Sequence, residues 1–217
     1  MVDLIRFFRV VPPVPALTRA TFIVLTGASV VAVCLDPSRT AGTLKAVLAL
    51  QLFAVSSGFL PHARRGHYDL LLTRGDDRLA IALVHWAMSA FAGIASWLTV
   101  VTAELLVVRG GGTVGLTSGS IAALFVLSTA PWALTAFLPR FSAGIGWLAI
   151  FALGAAVHGA LPVAAPIVNL VYPLGMIGQD VRSHLGAAML PLGVSSLSMV
   201  AALFGIRRAS IPLEAAQ

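Results

Sequence analysis

The chain alternates long apolar runs with short polar connections. Six runs approach or exceed the length of about 20 mainly apolar residues that a helix needs to cross a membrane. The third run has about 30 residues, or about 45 Å of helix, so we expect it to tilt or to project beyond the bilayer. The predicted spans cover residues 16–35, 44–60, 79–108, 120–138, 145–165 and 185–206.

The composition agrees with this pattern. Hydrophobic residues make up 59% of the 217 residues and charged residues only 10%, whereas soluble domains carry about 25% charged residues. Such a chain has too little polar surface to cover a soluble fold. We therefore predict an all-α integral membrane protein that forms a single transmembrane domain over residues 1–217, because the spans leave no room for a soluble domain.

The distribution of charge predicts an orientation. Cationic side chains favour cytoplasmic loops. If the N-terminus is cytoplasmic, ten of the 14 Lys and Arg residues fall on the cytoplasmic side and four on the other. With six spans, both termini would then be cytoplasmic. The net charge of +6 is in this interpretation a topology signal, and we see no aromatic-interleaved basic patch that would indicate nucleic-acid binding.

Two segments outside the spans have recognisable patterns. Residues 1–15 are predicted to form an interfacial elbow, with Phe7 and Phe8 facing the acyl boundary and arginines near the headgroups. The alternative is a frayed, disordered start. Residues 161–184 are apolar but interrupted by prolines and glycines. Irregular backbone at membrane depth is tolerated where protein or a cavity satisfies it, so we predict a re-entrant outer segment, with a plain outer loop as the alternative.

A charged stretch, residues 61–78, connects the second and third spans and would lie in the cytoplasm. Within it, Tyr68, Leu71 and Leu72 fall at positions i, i+3 and i+4, which predicts a short helix with an apolar stripe. Such a stripe fits a groove on a soluble partner. The alternative is an ordinary loop whose arginines only reflect topology.

The boundaries of this short helix can also be predicted. Gly66 offers a turn before it, and Asp69 places a negative charge in its first turn, where the helix dipole favours one. Gly75 offers a stop, and Asp76 is a candidate cap for the helix that follows.

The stretch resembles the cytoplasmic coupling loop of type-2 ATP-binding-cassette exporter permeases, which are six-span proteins with an N-terminal elbow helix. It departs from the family pattern at Arg74, where a proline is usual, and at Arg64, where an acidic residue is often found. The resemblance implies that Tyr68 and the matching residues couple the chain to an ATPase subunit. The matching residues are Arg65, Gly66, Asp69, Leu71, Leu72, Thr73 and Arg78.

The chain has no recognisable ATPase motif of its own. A P-loop requires glycine and lysine in G-x-x-x-x-G-K-[ST], and the only lysine, Lys45, follows Leu44. The resemblance therefore implies a separate nucleotide-binding subunit that holds ATP and magnesium, no cofactor in this chain, and a second permease chain, identical or related. It also implies the cytoplasmic (inner) membrane of a bacterium.

The cargo and its pathway are less defined by the sequence. Few polar groups lie in the spans, which favours a hydrophobic or amphipathic cargo such as a lipid-like molecule, drug, peptide or haem. Candidate pathway residues are Gln51, Phe53 and Ser57 of the second span, together with Glu104. Glu104 is an ionisable residue in an apolar span, and such residues are often functional. The alternative is a structural role, either an ion pair with Arg109 or a position at the exposed end of the span.

Two other classes of function have sequence requirements of their own. A self-sufficient ion-coupled carrier or channel usually needs several buried ionisable groups, and here Glu104, His85 and His158 qualify. For each histidine, a hydrogen-bonded core position is the preferred interpretation over a metal ligand. An intramembrane protease would need a serine–histidine site or H-E-x-x-H. Residues 116–120 contain serine without a clear partner histidine, and the second motif does not occur.

Overall fold

The computed structural model describes residues 7–8, 12–56, 58–63, 66–73, 75, 77–108, 113–137, 142–158, 165–179 and 185–208. Within these ranges the regular structure is entirely helical. The α-helices, which we number α1 to α9, are Ala16–Leu35, Thr40–Val55, Phe59–Ala63, Asp69–Thr73, Arg78–Val107, Ser118–Phe137, Ser142–His158, Ala165–Val171 and Leu185–Arg208. Two 3₁₀ turns, Pro37–Arg39 and Pro173–Met176, precede α2 and follow α8.

Four helices are long and apolar enough to cross a membrane: Ala16–Leu35, Arg78–Val107, Ser118–Ala136 and Ala188–Arg208. They correspond to the first, third, fourth and sixth predicted spans. Many large apolar side chains of α1 face outward, among them Leu17, Ile23 and Val24. An all-helical, membrane-embedded protein is therefore confirmed, whereas the count of six spans remains a prediction.

The second predicted span, residues 44–60, is divided in the structure. Helix α2 ends at Val55, and α3 begins at Phe59. Between them Gly58 has a φ of 29°, and a Cβ there would lie 1.8 Å from Thr135 Oγ1 on α6. The chain turns at Gly58 because only glycine permits this backbone and this close approach. Helix α2 therefore has 16 residues, or about 24 Å.

The long helices pack side by side, each against two or more others. Helix α5 lies against α1 and α2, while α6 contacts α2 and makes its most extensive contact with α9. Helix α8 packs between α9 and α7. Trp97, Leu48 and Leu127 bring α5, α2 and α6 into one buried cluster. A second cluster gathers around α3 and α4, and we call it the loop-side core.

The described part of the proline-interrupted segment, residues 165–179, is the short helix α8 followed by the second 3₁₀ turn. The turn is buried, including Leu174 and Met176. The backbone N–H of Gly119, at the start of α6, donates to the carbonyl of Gln179 over 3.0 Å. This segment is therefore packed into the bundle, while its predicted re-entrant path through a membrane stays a prediction.

Only Phe7 and Phe8 and the residues from Pro12 onward are described in the predicted elbow. Phe8 is completely buried, and its ring lies 5.7 Å from the ring of Tyr68. The expectation that Phe8 faces the acyl boundary is wrong, because aromatic side chains of the loop-side core cover it. The interfacial character of the elbow as a whole remains a prediction.

Candidate coupling site

The candidate coupling site is the connection between α3 and α5, which contains the short helix α4. Gly66 has a φ of 76° and Gly75 a φ of 81°, both in the left-handed region that favours glycine. The Gly66 N–H donates to the Ala63 carbonyl over 3.1 Å and closes α3. The Gly75 N–H donates to the Leu72 carbonyl over 3.2 Å and closes α4. The two glycines therefore define the limits of the short helix, as predicted.

The start of α5 differs in detail from the prediction. The side chain of Asp77 accepts from the Leu79 N–H over 3.1 Å and caps the helix. The capping role expected of Asp76 is taken by Asp77, because α5 begins at Arg78. Asp76 itself lies outside the described residues.

Tyr68 anchors the connection to the bundle. Its side chain is 1% exposed, and its ring stacks on Phe59 of α3 with the centroids 5.3 Å apart and the planes within 7°. Its hydroxyl is a hydrogen-bond partner of His85 Nδ1 on α5. Burial raises the pKa of Tyr68, so the phenol stays protonated and shares a hydrogen bond with that nitrogen. Tyr68 thus joins the connection to α3, to α5 and, through Phe8, to the N-terminal segment.

The apolar stripe of α4 faces inward. Leu71 is 3% exposed and Leu72 is half-buried, and both pack in the loop-side core with Tyr68. Leu70, outside the stripe, is 57% exposed. The bundle therefore covers Tyr68 and Leu71 in this structure, and their role in binding a partner stays a prediction. The accessible face of α4 is the one that carries Leu70.

The remaining predicted coupling residues can be located only in part. Asp69 is half-buried at the start of α4, and a Cβ at Gly66 would lie 3.1 Å from its Oδ2. Thr73 ends α4, and Arg78 begins α5 and is half-buried. Arg65 and the side chain of Thr73 lie outside what the structure describes.

The predicted pathway residues do not share one surface within the chain. Gln51 is completely buried, and its Nε2 donates to the Ala90 carbonyl over 3.1 Å and approaches Ser128 Oγ at 3.4 Å. Phe53 is 51% exposed on the outside of the bundle. Ser57 lies outside the described residues. Gln51 therefore connects α2 with α5 and α6, and Phe53 points elsewhere.

Gly93 of α5 explains how Gln51 fits between the helices. A Cβ at this position would lie 1.9 Å from Gln51 Oε1. The glycine leaves space for the amide, and the same close contact is expected of small residues at helix interfaces in membranes.

Glu104 clamps the loop that follows α5. It is 2% exposed, and its two carboxylate oxygens accept from the backbone N–H groups of Val114 at 2.8 Å and Gly115 at 3.1 Å. The structural interpretation of Glu104 is therefore favoured, because two backbone N–H groups are among its partners. Arg109 lies outside the described residues.

The same clamp extends to the buried turn after α8. Ser120 Oγ donates to the Val114 carbonyl over 2.8 Å and accepts from the Gly178 N–H over 3.1 Å. Glu104, the loop and the start of α6 are thereby joined to the turn. We call this network the loop clamp.

Sequence reasoning missed Phe8, Phe59 and His85 as parts of the candidate site. His85 is buried and hydrogen-bonded through Nδ1, as expected of a core histidine. The aromatic and histidine residues between positions 59 and 68 are the sequence signal that could have indicated a packed aromatic cluster here. Over the described ranges there is no group of three His, Cys, Asp or Glu side chains that could hold a metal ion.

The fold and site together define an all-helical membrane-embedded protein in which the connection between α3 and α5 is anchored by aromatic packing. No protein-family model matches the chain, and searches of curated proteins and of solved structures return no significant match.

Proposed function

We propose that the chain is the transmembrane subunit of an ATP-binding-cassette exporter. In this proposal it forms the substrate pathway and couples it to a separate ATPase subunit, which binds ATP and magnesium. The chain performs no bond chemistry itself. It would function in the inner membrane of a bacterium with both termini in the cytoplasm, paired with an identical or related permease chain.

The observation that carries the proposal is the way α4 is held. A partner that moved α4 would also move α5 through Tyr68 and His85, and the N-terminal segment through the Tyr68–Phe8 contact. A short helix packed on a long one transmits displacement because a close-packed interior has few voids in which motion can be absorbed. The anchor of α4 therefore supports a lever role for the segment from Gly66 to Arg78.

The contact surface of the proposed ATPase subunit differs from the predicted one. Leu70 supplies the exposed apolar group of α4, and His67, which precedes the helix, is also exposed. Tyr68, Leu71 and Leu72 would position this face without touching the partner. We assign them a positioning role for that reason.

The cargo is proposed to be hydrophobic or amphipathic: a lipid-like molecule, a drug, a peptide or haem. The support is the apolar character of the bundle, in which the described acidic side chain at membrane depth, Glu104, is already engaged by two N–H groups. The same engagement weakens the alternative of a self-sufficient ion-coupled carrier, because a coupling carboxylate must exchange its partners.

The proposal is tested by mild-detergent purification of the tagged chain from its own cells. Mass spectrometry identifies co-purifying subunits, and the eluate is assayed for ATP hydrolysis. Leu70→Asp is compared with Ser38→Asp, which adds the same charge at an exposed position of the 3₁₀ turn between α1 and α2. Both substitutions leave the buried core intact.

We expect an ATPase subunit with wild type and with Ser38→Asp, and its loss with Leu70→Asp. Stable, folded wild-type protein that brings down no ATPase would contradict the proposal and make a self-sufficient carrier the leading hypothesis. Retention of the ATPase by Leu70→Asp would contradict the assigned contact face.

A further inference from the structure

A groove runs along the outside of the bundle between α1 and α5. It consists of two cavities of about 410 Å³ each, and Arg19, Phe91 and Ala92 line both of them. The first cavity extends under the N-terminal segment to Phe8 and Val14. The second continues along α1 and α5. Because they share three lining residues, the two cavities form one surface feature, which we call the α1–α5 groove.

The walls of the groove are apolar with one cation at the centre. Phe22, Ile23 and Ala95 line the second cavity. Arg19 is exposed, and among the described residues no carboxylate forms an ion pair with it. Arg19 is the fourth residue of α1, so it lies about 5 Å from the start of that helix. From this depth its long side chain reaches the headgroup level.

The groove runs along the axes of α1 and α5, and its length matches part of an acyl chain. On α1 it runs from Arg19 to Thr26, which is about 10 Å along the helix axis, and on α5 from Phe91 to Thr99, which is about 12 Å. One leaflet of hydrocarbon is about 15 Å thick, half of the bilayer core. The groove therefore covers most of one leaflet, with its cation at the outer edge of that leaflet.

We propose that the α1–α5 groove binds an anionic glycerophospholipid from the leaflet next to the N-terminal segment. The phosphate contacts Arg19, and one acyl chain lies between α1 and α5. Charge complementarity supports this occupant, since basic pockets between membrane helices bind anionic headgroups. The inference does not depend on the proposed exporter function and would stand if no ATPase subunit were found.

A second copy of this chain is a poorer occupant. It would need a carboxylate opposite Arg19 to compensate the cation once the second copy had excluded water from the groove. Among the membrane-length helices the acidic residue is Glu104, whose two oxygens are engaged by backbone N–H groups. A phospholipid supplies the negative charge and the apolar chain in one molecule.

The test is native mass spectrometry of the purified protein, titrated with phosphatidylglycerol or with phosphatidylcholine of the same acyl chains. sn-Glycerol 3-phosphate serves as a headgroup without chains. The variants are Arg19→Ala, which removes the cation, and Ala92→Trp, which fills the region shared by both cavities. Arg208→Ala is the matched control, because Arg208 is exposed, ends α9 and does not line the groove.

We expect wild type and Arg208→Ala to retain phosphatidylglycerol about fivefold better than phosphatidylcholine, as expected for one basic side chain near a headgroup. Arg19→Ala should lose this preference while keeping weak binding of both lipids. Ala92→Trp should lose both. If Ala92→Trp fails to fold, the comparison of Arg19→Ala with Arg208→Ala still decides the question.

Three outcomes would overturn the proposal. Equal retention of the two phospholipids by wild type would make the groove an unselective lipid boundary. Competition by glycerol phosphate at the same concentration would make it a phosphate site that needs no chain. Conversion of a dimer to a monomer by Ala92→Trp, with lipid binding unchanged, would assign the groove to a second copy.

Discussion

The two ends of α5 are fixed in different ways. Near its start, His85 meets Tyr68 in a core of aromatic and aliphatic side chains contributed by several elements. Near its end, Glu104 holds backbone N–H groups of a single loop. Side-chain packing can shift as a unit, whereas a carboxylate with two backbone donors fixes one loop geometry. The comparison suggests a movable connection at one end and a fixed one at the other.

The largest effect is expected from a charge in the loop-side core. Leu71→Asp removes a leucine that is 3% exposed and buries a carboxylate, which should cost about 4 kcal/mol or more of unfolding free energy. Leu70→Asp, on the exposed face, should change it by about 0.5 kcal/mol or less. Thermal denaturation in detergent measures both. Similar losses for the two variants would refute the inward orientation of α4.

The next effect is expected at the loop clamp. Glu104→Ala leaves two backbone N–H groups without their acceptor and should cost about 3 kcal/mol. Glu104→Gln retains one acceptor oxygen and should cost about half as much. Unfolding in detergent gives the stability, and limited proteolysis of residues 113–117 gives the order of the loop. Unchanged proteolysis in Glu104→Ala would show that the clamp does not hold the loop.

A smaller effect is expected from the hydroxyl of Tyr68. Tyr68→Phe keeps the stacking on Phe59 but leaves His85 Nδ1 buried without its hydrogen-bond partner, for a cost of about 1 kcal/mol. His85→Phe combined with Tyr68→Phe should be less damaging than the sum of the single changes. Additive losses in this double-mutant cycle, measured by thermal denaturation, would contradict the hydrogen bond.

The smallest effect is expected at Asp36, between α1 and the first 3₁₀ turn. Hydrogen bonds from the side chain and backbone of Ser38 hold the pKa of Asp36 below its ordinary value of 3.8. The stability that this carboxylate contributes is therefore present above pH 3.8 and is lost as the pH falls through the lowered pKa. Wild type and Asp36→Asn should differ slightly at pH 6 and converge at pH 2. A difference that grows on acidification would contradict this sign.

The helices with strong apolar runs could be predicted closely from the sequence. Residues 16–35 and 79–108 were predicted as spans, and the structure has Ala16–Leu35 and Arg78–Val107. Pro15 and Asp36 mark the limits of the first of these helices in the sequence itself. The break at Gly58 was missed, because the run continues in apolar residues and the contact that requires glycine comes from Thr135, far along the chain.

The sequence could not predict whether the apolar face of α4 points toward the bundle or away from it. The spacing of Tyr68, Leu71 and Leu72 identifies an apolar face but not what covers it. That depends on Phe8 and His85, which approach only in the folded chain. The described partners of Glu104 are backbone groups, which any sequence supplies, so no residue type signalled them.

The length of α5 relates its two ends mechanically. Its 30 residues form a rod of about 45 Å. Because Glu104 holds the far end, a rotation of only about 3° around that end would displace the start of the rod by about 2 Å, which is the scale of helix shifts in switching proteins. A small displacement of α4 would therefore tilt α5 as one rigid rod through the thickness of the membrane, with the loop clamp as its pivot.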